Sequence, residues 1–81
     1  MIVFIKGKIL EKQPNSVIVD VNGIGYLCHI SNNTYSLLPN KKKEVFLNTY
    51  FNVNENSQEL YGFLDLLEKD LFMLLIGVSG I

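Results

Sequence analysis

The segment from Val45 to Phe63 constrains this chain more than any other. Val45, Leu47, Thr49, Phe51 and Val53 alternate with Phe46, Asn48, Tyr50 and Asn52, a period of two that places each set on one face of a sheet. Asn54-Glu55-Asn56-Ser57 follows, residue types that accept tight or left-handed turns and bond their own backbone. Leu60-Tyr61-Gly62-Phe63 then resumes an apolar strand. The pattern predicts two strands folded back on each other, with Glu55 at the tip of a stiff ribbon. On spacing alone such a tip reads as a solvated turn, and it takes the rest of the chain to favour a functional prong.

The remaining segments extend the β pattern. Ile2 to Lys12 reads as a long first strand, with Val3, Ile5, Gly7 and Ile9 on one face and Phe4, Lys6 and Lys8 on the other. Gly7 marks a place where the strand curls or bulges, as small closed barrels require. Pro14-Asn15 makes a turn, and Ser16 to Val21 follows with Val17, Val19 and Val21 inward. Asn22-Gly23 is a strong hairpin signal, because both residues accept the positive φ of a type I′ turn. Ile24 to Ile30 is the partner strand, with Ile24, Tyr26, Cys28 and Ile30 on one face. Ser31 to Leu38 reads as a connector with one short helical turn started by Ser31 or Asn32 and stopped by Pro39, and Asn40 to Lys43 as a basic loop. Strands of this number, order and length predict a mainly β fold, a small Greek-key barrel of the oligonucleotide/oligosaccharide-binding (OB) type over residues 1–63.

After Phe63 the period changes. Asp65 with Glu68 three residues on has the form of a capping box, and Leu67, Leu71, Leu74 and Leu75 recur at helical spacing, so a C-terminal α-helix is expected from Asp65 to about Ile76, ended by Gly77. Stopping at Val78-Ser79-Gly80-Ile81 suggests an incomplete chain.

At 81 residues, only about 60 to 65% of the unfolded surface can be buried. An apolar fraction of 48% and a mean hydropathy of +0.22 are high for such a domain and point to cover by another subunit or a further segment. The apolar start is interrupted by Lys6, and Leu71 to Ile76 is far shorter than the ~20 residues a membrane helix needs, so neither a signal peptide nor a membrane helix is expected. A single cysteine, Cys28, excludes an internal disulfide and fits a reducing cytoplasm. It reads as a small core residue, and the lone His29 has no companions at metal-ligand spacing, so no metal or cofactor is expected.

The net charge of −1 weighs against strong phosphate binding. Its distribution is uneven: residues 1–54 carry a net +3 and residues 55–81 a net −4. That permits a basic face beside an acidic feature, although dispersed lysines also serve simply as solubilising charge.

Five stretches stand in register: Ile9-Leu10-Glu11-Lys12-Gln13-Pro14, Val21-Asn22-Gly23-Ile24-Gly25-Tyr26 with His29, Leu38-Pro39, Leu60-Tyr61-Gly62-Phe63, and Leu74-Leu75-Ile76-Gly77-Val78-Ser79-Gly80-Ile81. Together they resemble the N-terminal part of the RuvA family, bacterial subunits that recognise Holliday junctions. The resemblance implies a homotetramer, or an octamer of two stacked tetramers, acting in recombination and DNA repair with the RuvB motor ATPase and the RuvC resolvase. It makes residues 64–81 the start of a helix-hairpin-helix domain whose Gly77, Val78 and Gly80 backbone would approach a phosphate. It makes Asn54, Glu55 and Asn56 an "acidic pin" at the junction crossover. Here the chain departs from the family, in which two adjacent acids are usual and a basic residue is common where Asn54 stands. It also has Phe4 where the family tends to have a basic residue, so phosphate contacts from the first strand would fall to Lys6 or Lys8. No G-x-x-x-x-G-K-[ST] loop is present, so ATP hydrolysis belongs to a partner and no catalytic site is expected.

Two other readings stay open. One is a generic single-strand binder stacking bases on Tyr26, Tyr35, Tyr50 or Tyr61. The other is an oligomerising barrel without direct nucleic-acid contact. Because the net charge is negative and the helix-hairpin-helix is unfinished, the 81-residue piece alone is expected to bind DNA weakly or not at all.

Overall fold

The computed structural model describes residues 1–77. Its elements run β1 (Phe4–Gln13), β2 (Ser16–Val21), β3 (Ile24–His29), α1 (Asn32–Leu37), β4 (Glu44–Val53), β5 (Gln58–Phe63) and α2 (Leu66–Leu75). The five strands close into a barrel in the order β1-β2-β3-β5-β4, with β4 returning to β1. All neighbours are antiparallel except β3 and β5, which meet in parallel at Cys28↔Leu60 and His29↔Tyr61. This is the expected OB-type barrel with a C-terminal helix.

Closure depends on β1 serving two neighbours. Phe4 to Lys8 pair with β4, while Lys8 to Gln13 pair with β2, so the strand must coil around its middle. Gly7 lies there, and a Cβ on it would stand 2.2 Å from the Asp20 carbonyl oxygen and 3.0 Å from Val19 Cγ1. Only a residue without a side chain lets the β2 backbone approach that closely. The bulge is elsewhere: the β1–β2 register slips between Ile9 and Glu11, which makes Leu10 the extra residue. Of the two expectations for Gly7, a curl or a bulge, it meets the first, and the bulge lies three residues on.

The alternation of β1, β2 and β4 places Ile5, Ile9, Val17, Val19, Val45 and Leu47 in the core, joined by Cys28 and Leu60. At the strand ends the faces that supply the core run out into solvent: Val3 ahead of β1, Ile24 at the first position of β3 and Val53 at the last of β4 are exposed. The Asn22-Gly23 turn has φ of 52° and 89°, and Asp20 Oδ1 accepts from the Gly23 N–H at 2.8 Å. The basic loop is tied down: Lys42 N–H donates to the Ile9 carbonyl at 2.7 Å, and Ile9 N–H donates to the Lys43 carbonyl at 3.0 Å.

Both helices start at the caps their sequences suggest. Ser31 Oγ accepts from the Thr34 N–H, and Asp65 Oδ1 accepts from the Leu67 N–H. Glu68, expected to complete a capping box, does something different. Its carboxylate accepts from the hydroxyls of Ser31 and Thr34, tying α2 to the start of α1. Thr34 is 1% exposed, and a buried hydroxyl needs a partner, which the Glu68 carboxylate provides. Phe72 completes the docking, its ring 4.8 Å from Tyr61, 5.3 Å from Phe63 and 6.0 Å from Tyr50. The leucines at 67, 71, 74 and 75 are exposed.

Candidate nucleic-acid interface

The β4–β5 hairpin leaves the barrel as a two-stranded ribbon. Thr49 is the last β4 residue held by the N-terminal segment: its N–H donates to the Val3 carbonyl and its Oγ1 to the Ile2 carbonyl, both at 2.8 Å. On the other side, β5 meets β3 only at Leu60 and Tyr61. Outward of these, Asn52↔Glu59 and Val53↔Gln58 pair with each other alone, and residues 53–56 are exposed.

The tip holds its shape through Asn54. Its N–H donates to the Ser57 carbonyl, and its Oδ1 accepts from the N–H groups of Asn56 and Ser57, each at 2.9 Å. Asn54 therefore builds the turn, its acceptor oxygen already engaged. Glu55 is exposed and takes part in no ion pair among the described residues. The geometry thus presents one unpaired carboxylate at the end of a braced ribbon, flanked by the exposed amide of Asn56.

The base of the ribbon carries a brace that sequence spacing does not reveal. Glu59 lies 3.4 Å from His29 Nε2 and accepts from the Tyr61 hydroxyl at 3.4 Å. His29 and Glu59 are 30 residues apart in the chain, and only the parallel register of β3 with β5 brings them together. Burial first, and then the Glu59 carboxylate, raise the Tyr61 phenol above its ordinary pKa, so it remains a donor to Glu59 at neutral pH. Among the described residues no group of three His, Cys, Asp or Glu side chains could hold a metal ion.

Lys6 and Lys8 do not join the tip. They pair across from Phe46 and Glu44, seven and nine residues along β4 from Val53, or about 23 and 30 Å at ~3.3 Å per residue. Lys6 Nζ lies 3.8 Å from Glu44, with both side chains about 60% exposed. Gly77 has φ of +79° and its N–H donates to the Leu74 carbonyl at 3.1 Å, so it ends α2 as a left-handed cap. The other two expected helix-hairpin-helix contacts, Val78 and Gly80, lie outside the described residues.

Cys28 is fully buried in the core, and burial pushes its thiol up to about 12. Because the folded pKa exceeds the unfolded value of 9.0, its contribution to stability is complete below about pH 9 and is lost as pH rises towards 12. The thiol is expected to resist alkylation in native protein at pH 8 and to react at once in denaturant. A Cys28→Ala variant should lose stability less steeply across that alkaline window, as read by urea unfolding at stepped pH.

No helix among the described residues is long and apolar enough to cross a membrane. The family model described as the RuvA N terminal domain matches residues 1–62. Curated relatives, each named Holliday junction branch migration complex subunit RuvA, align over the whole chain. That from Flavobacterium psychrophilum is 49% identical, that from Geobacter sulfurreducens 46% and that from Syntrophomonas wolfei 43%. The chain spans 42%, 41% and 41% of their respective lengths, about two-fifths in each case. A barrel of this topology, matched by the family model over most of its length and by relatives over all of it, belongs to the RuvA family as its N-terminal domain.

Proposed function

We infer that this domain serves a non-catalytic subunit which recognises four-way DNA junctions and holds their strands apart for branch migration. The observation that carries this reading is Glu55, unpaired and exposed at the tip of a ribbon braced on both strands. DNA presents a negative charge about every 1.7 Å of axis, so a carboxylate held at a crossover repels phosphates and favours the open form. One such contact at about 6 Å in water amounts to roughly 0.7 kcal/mol, and more where water is excluded. Four copies around a tetramer axis would bring about 3 kcal/mol to bear on one crossover. With Asn56 in place of a second acid, the tip carries half the charge usual in the family, and Asn56 contributes hydrogen bonding.

The names of the relatives place them in a branch migration complex. Family membership supports the finer parts of this proposal: a homotetramer or octamer, ATP hydrolysis in RuvB, cooperation with RuvC, a cytoplasmic site of action, and backbone contacts from a helix-hairpin-helix that begins at α2. Anisotropy titrations of the full-length protein with a four-way junction, a duplex and a single strand of equal length test the reading. The junction is expected to bind at least tenfold more tightly than the duplex. Preference for the single strand would favour a generic single-strand module, and retained oligomers without DNA binding would favour a purely assembling barrel.

A further inference from the structure

The tyrosines that could have stacked on bases are already engaged. Tyr50 and Tyr61 pack on Phe72, Lys12 Nζ lies 5.7 Å over the Tyr35 ring, and Tyr26 packs against the core. Two other rings are more available. Phe4 and Phe46 are 54% and 48% exposed, with centroids 4.8 Å apart and planes 19° from parallel.

Their surroundings are polar and partly basic. On the outer face of the β1–β4 pair, Phe4 lies opposite Asn48, Lys6 opposite Phe46, and Lys8 opposite Glu44. The Lys6–Glu44 contact at 3.8 Å joins two well-exposed groups, a loose pair that a phosphate could displace. A contact between protein copies would call for a different composition, since interface cores are depleted of lysine, whereas here Lys6 lies directly across from one ring. Aromatic faces interleaved with lysines are the composition with which proteins hold unpaired strands.

We propose that the Phe4–Phe46 pair is a stacking platform for an unpaired base of a strand released at the junction. Lys6 and Lys8 face that strand's phosphates, and Asn48 its base edges. The proposal rests on the strand-separating role inferred above. It gives the released strand a place to go about 23 Å along β4 from the tip.

Full-length Phe4→Ala/Phe46→Ala protein, titrated with a fluorescein-labelled dT30 and with a blunt duplex, tests it. Single-strand affinity should fall about tenfold or more while duplex affinity stays within twofold. Phe4→Tyr/Phe46→Tyr should retain binding, and Phe4→Leu/Phe46→Leu, which keeps the patch apolar, should not. Unchanged single-strand affinity, or an equal loss for duplex, overturns the platform. So does a changed mass in light scattering, which would make the patch a contact between copies. The two readings separate cleanly. A wild-type protein that prefers junctions but binds dT30 without regard to the rings sinks the platform alone. Ring-dependent dT30 binding without junction preference sinks the junction role and leaves a single-strand platform.

Discussion

Gly7→Ala should cost this chain about 3 kcal/mol or more of stability, a large part of the roughly 4 to 12 kcal/mol expected for 81 residues. The added methyl would lie 2.2 Å from the Asp20 carbonyl oxygen and 2.9 Å from its carbonyl carbon. Both are backbone atoms, so relief requires β2 to move away from β1 and the barrel to open at its corner. Gly25→Ala is the matched control. A Cβ there meets only Ile18 Cγ2 at 3.7 Å, an ordinary contact, and the change should remain within about 1 kcal/mol. Urea titrations of the two variants should show a large fall in midpoint for Gly7→Ala and almost none for Gly25→Ala. Equal midpoints would mean that close approach at Gly7 does not govern closure.

Phe72→Ala should release α2 while leaving the barrel folded. An isolated ten-residue helix is marginal in water, and none of the residues of α2 is fully buried. Its attachment consists of Phe72 against three aromatic rings and Glu68 against Ser31 and Thr34. Removing the half-buried ring should cost about 3 kcal/mol, the low end for Phe→Ala, and exceed what Glu68 alone can hold. Hydrogen exchange should then show α2 amides losing protection while β1, β2 and β4 keep theirs. Intact protection across α2 would show that the helix is held by something other than this aromatic contact.

The elements that follow from local chemistry were legible in the residues. Alternation located the strands, Asn22-Gly23 specified a turn with two positive φ values, and Asp65 marked the start of α2. The tip was legible as well, because Asn54 carries its own turn chemistry. The contacts that local patterns do not encode depend on the barrel being closed. Glu68 reaches hydroxyls 34 and 37 residues away in sequence, a partnership that no local pattern encodes, so its capping-box spacing pointed to the wrong role. The Glu59 brace on His29 and Tyr61 likewise exists only through a parallel pairing of two residues each. Gly7 supplies the curl its place in the sequence suggests, whereas the bulge falls at Leu10, where β1 has already turned to β2 and no residue type marks it. Lys6 and Lys8 shared a face with each other as alternation required, yet the length of β4 keeps them far from Glu55.

The role of the tip comes down to one carboxylate. A four-way junction with 2-aminopurine at its crossover brightens when the bases there unstack, so it reports strand opening without any motor. Full-length wild-type protein is expected to raise that fluorescence on binding, and Glu55→Gln, which keeps size and polarity but removes the charge, is expected to bind the junction and leave the crossover substantially darker. Equal brightness with the two proteins at saturation would contradict charge-driven separation by Glu55.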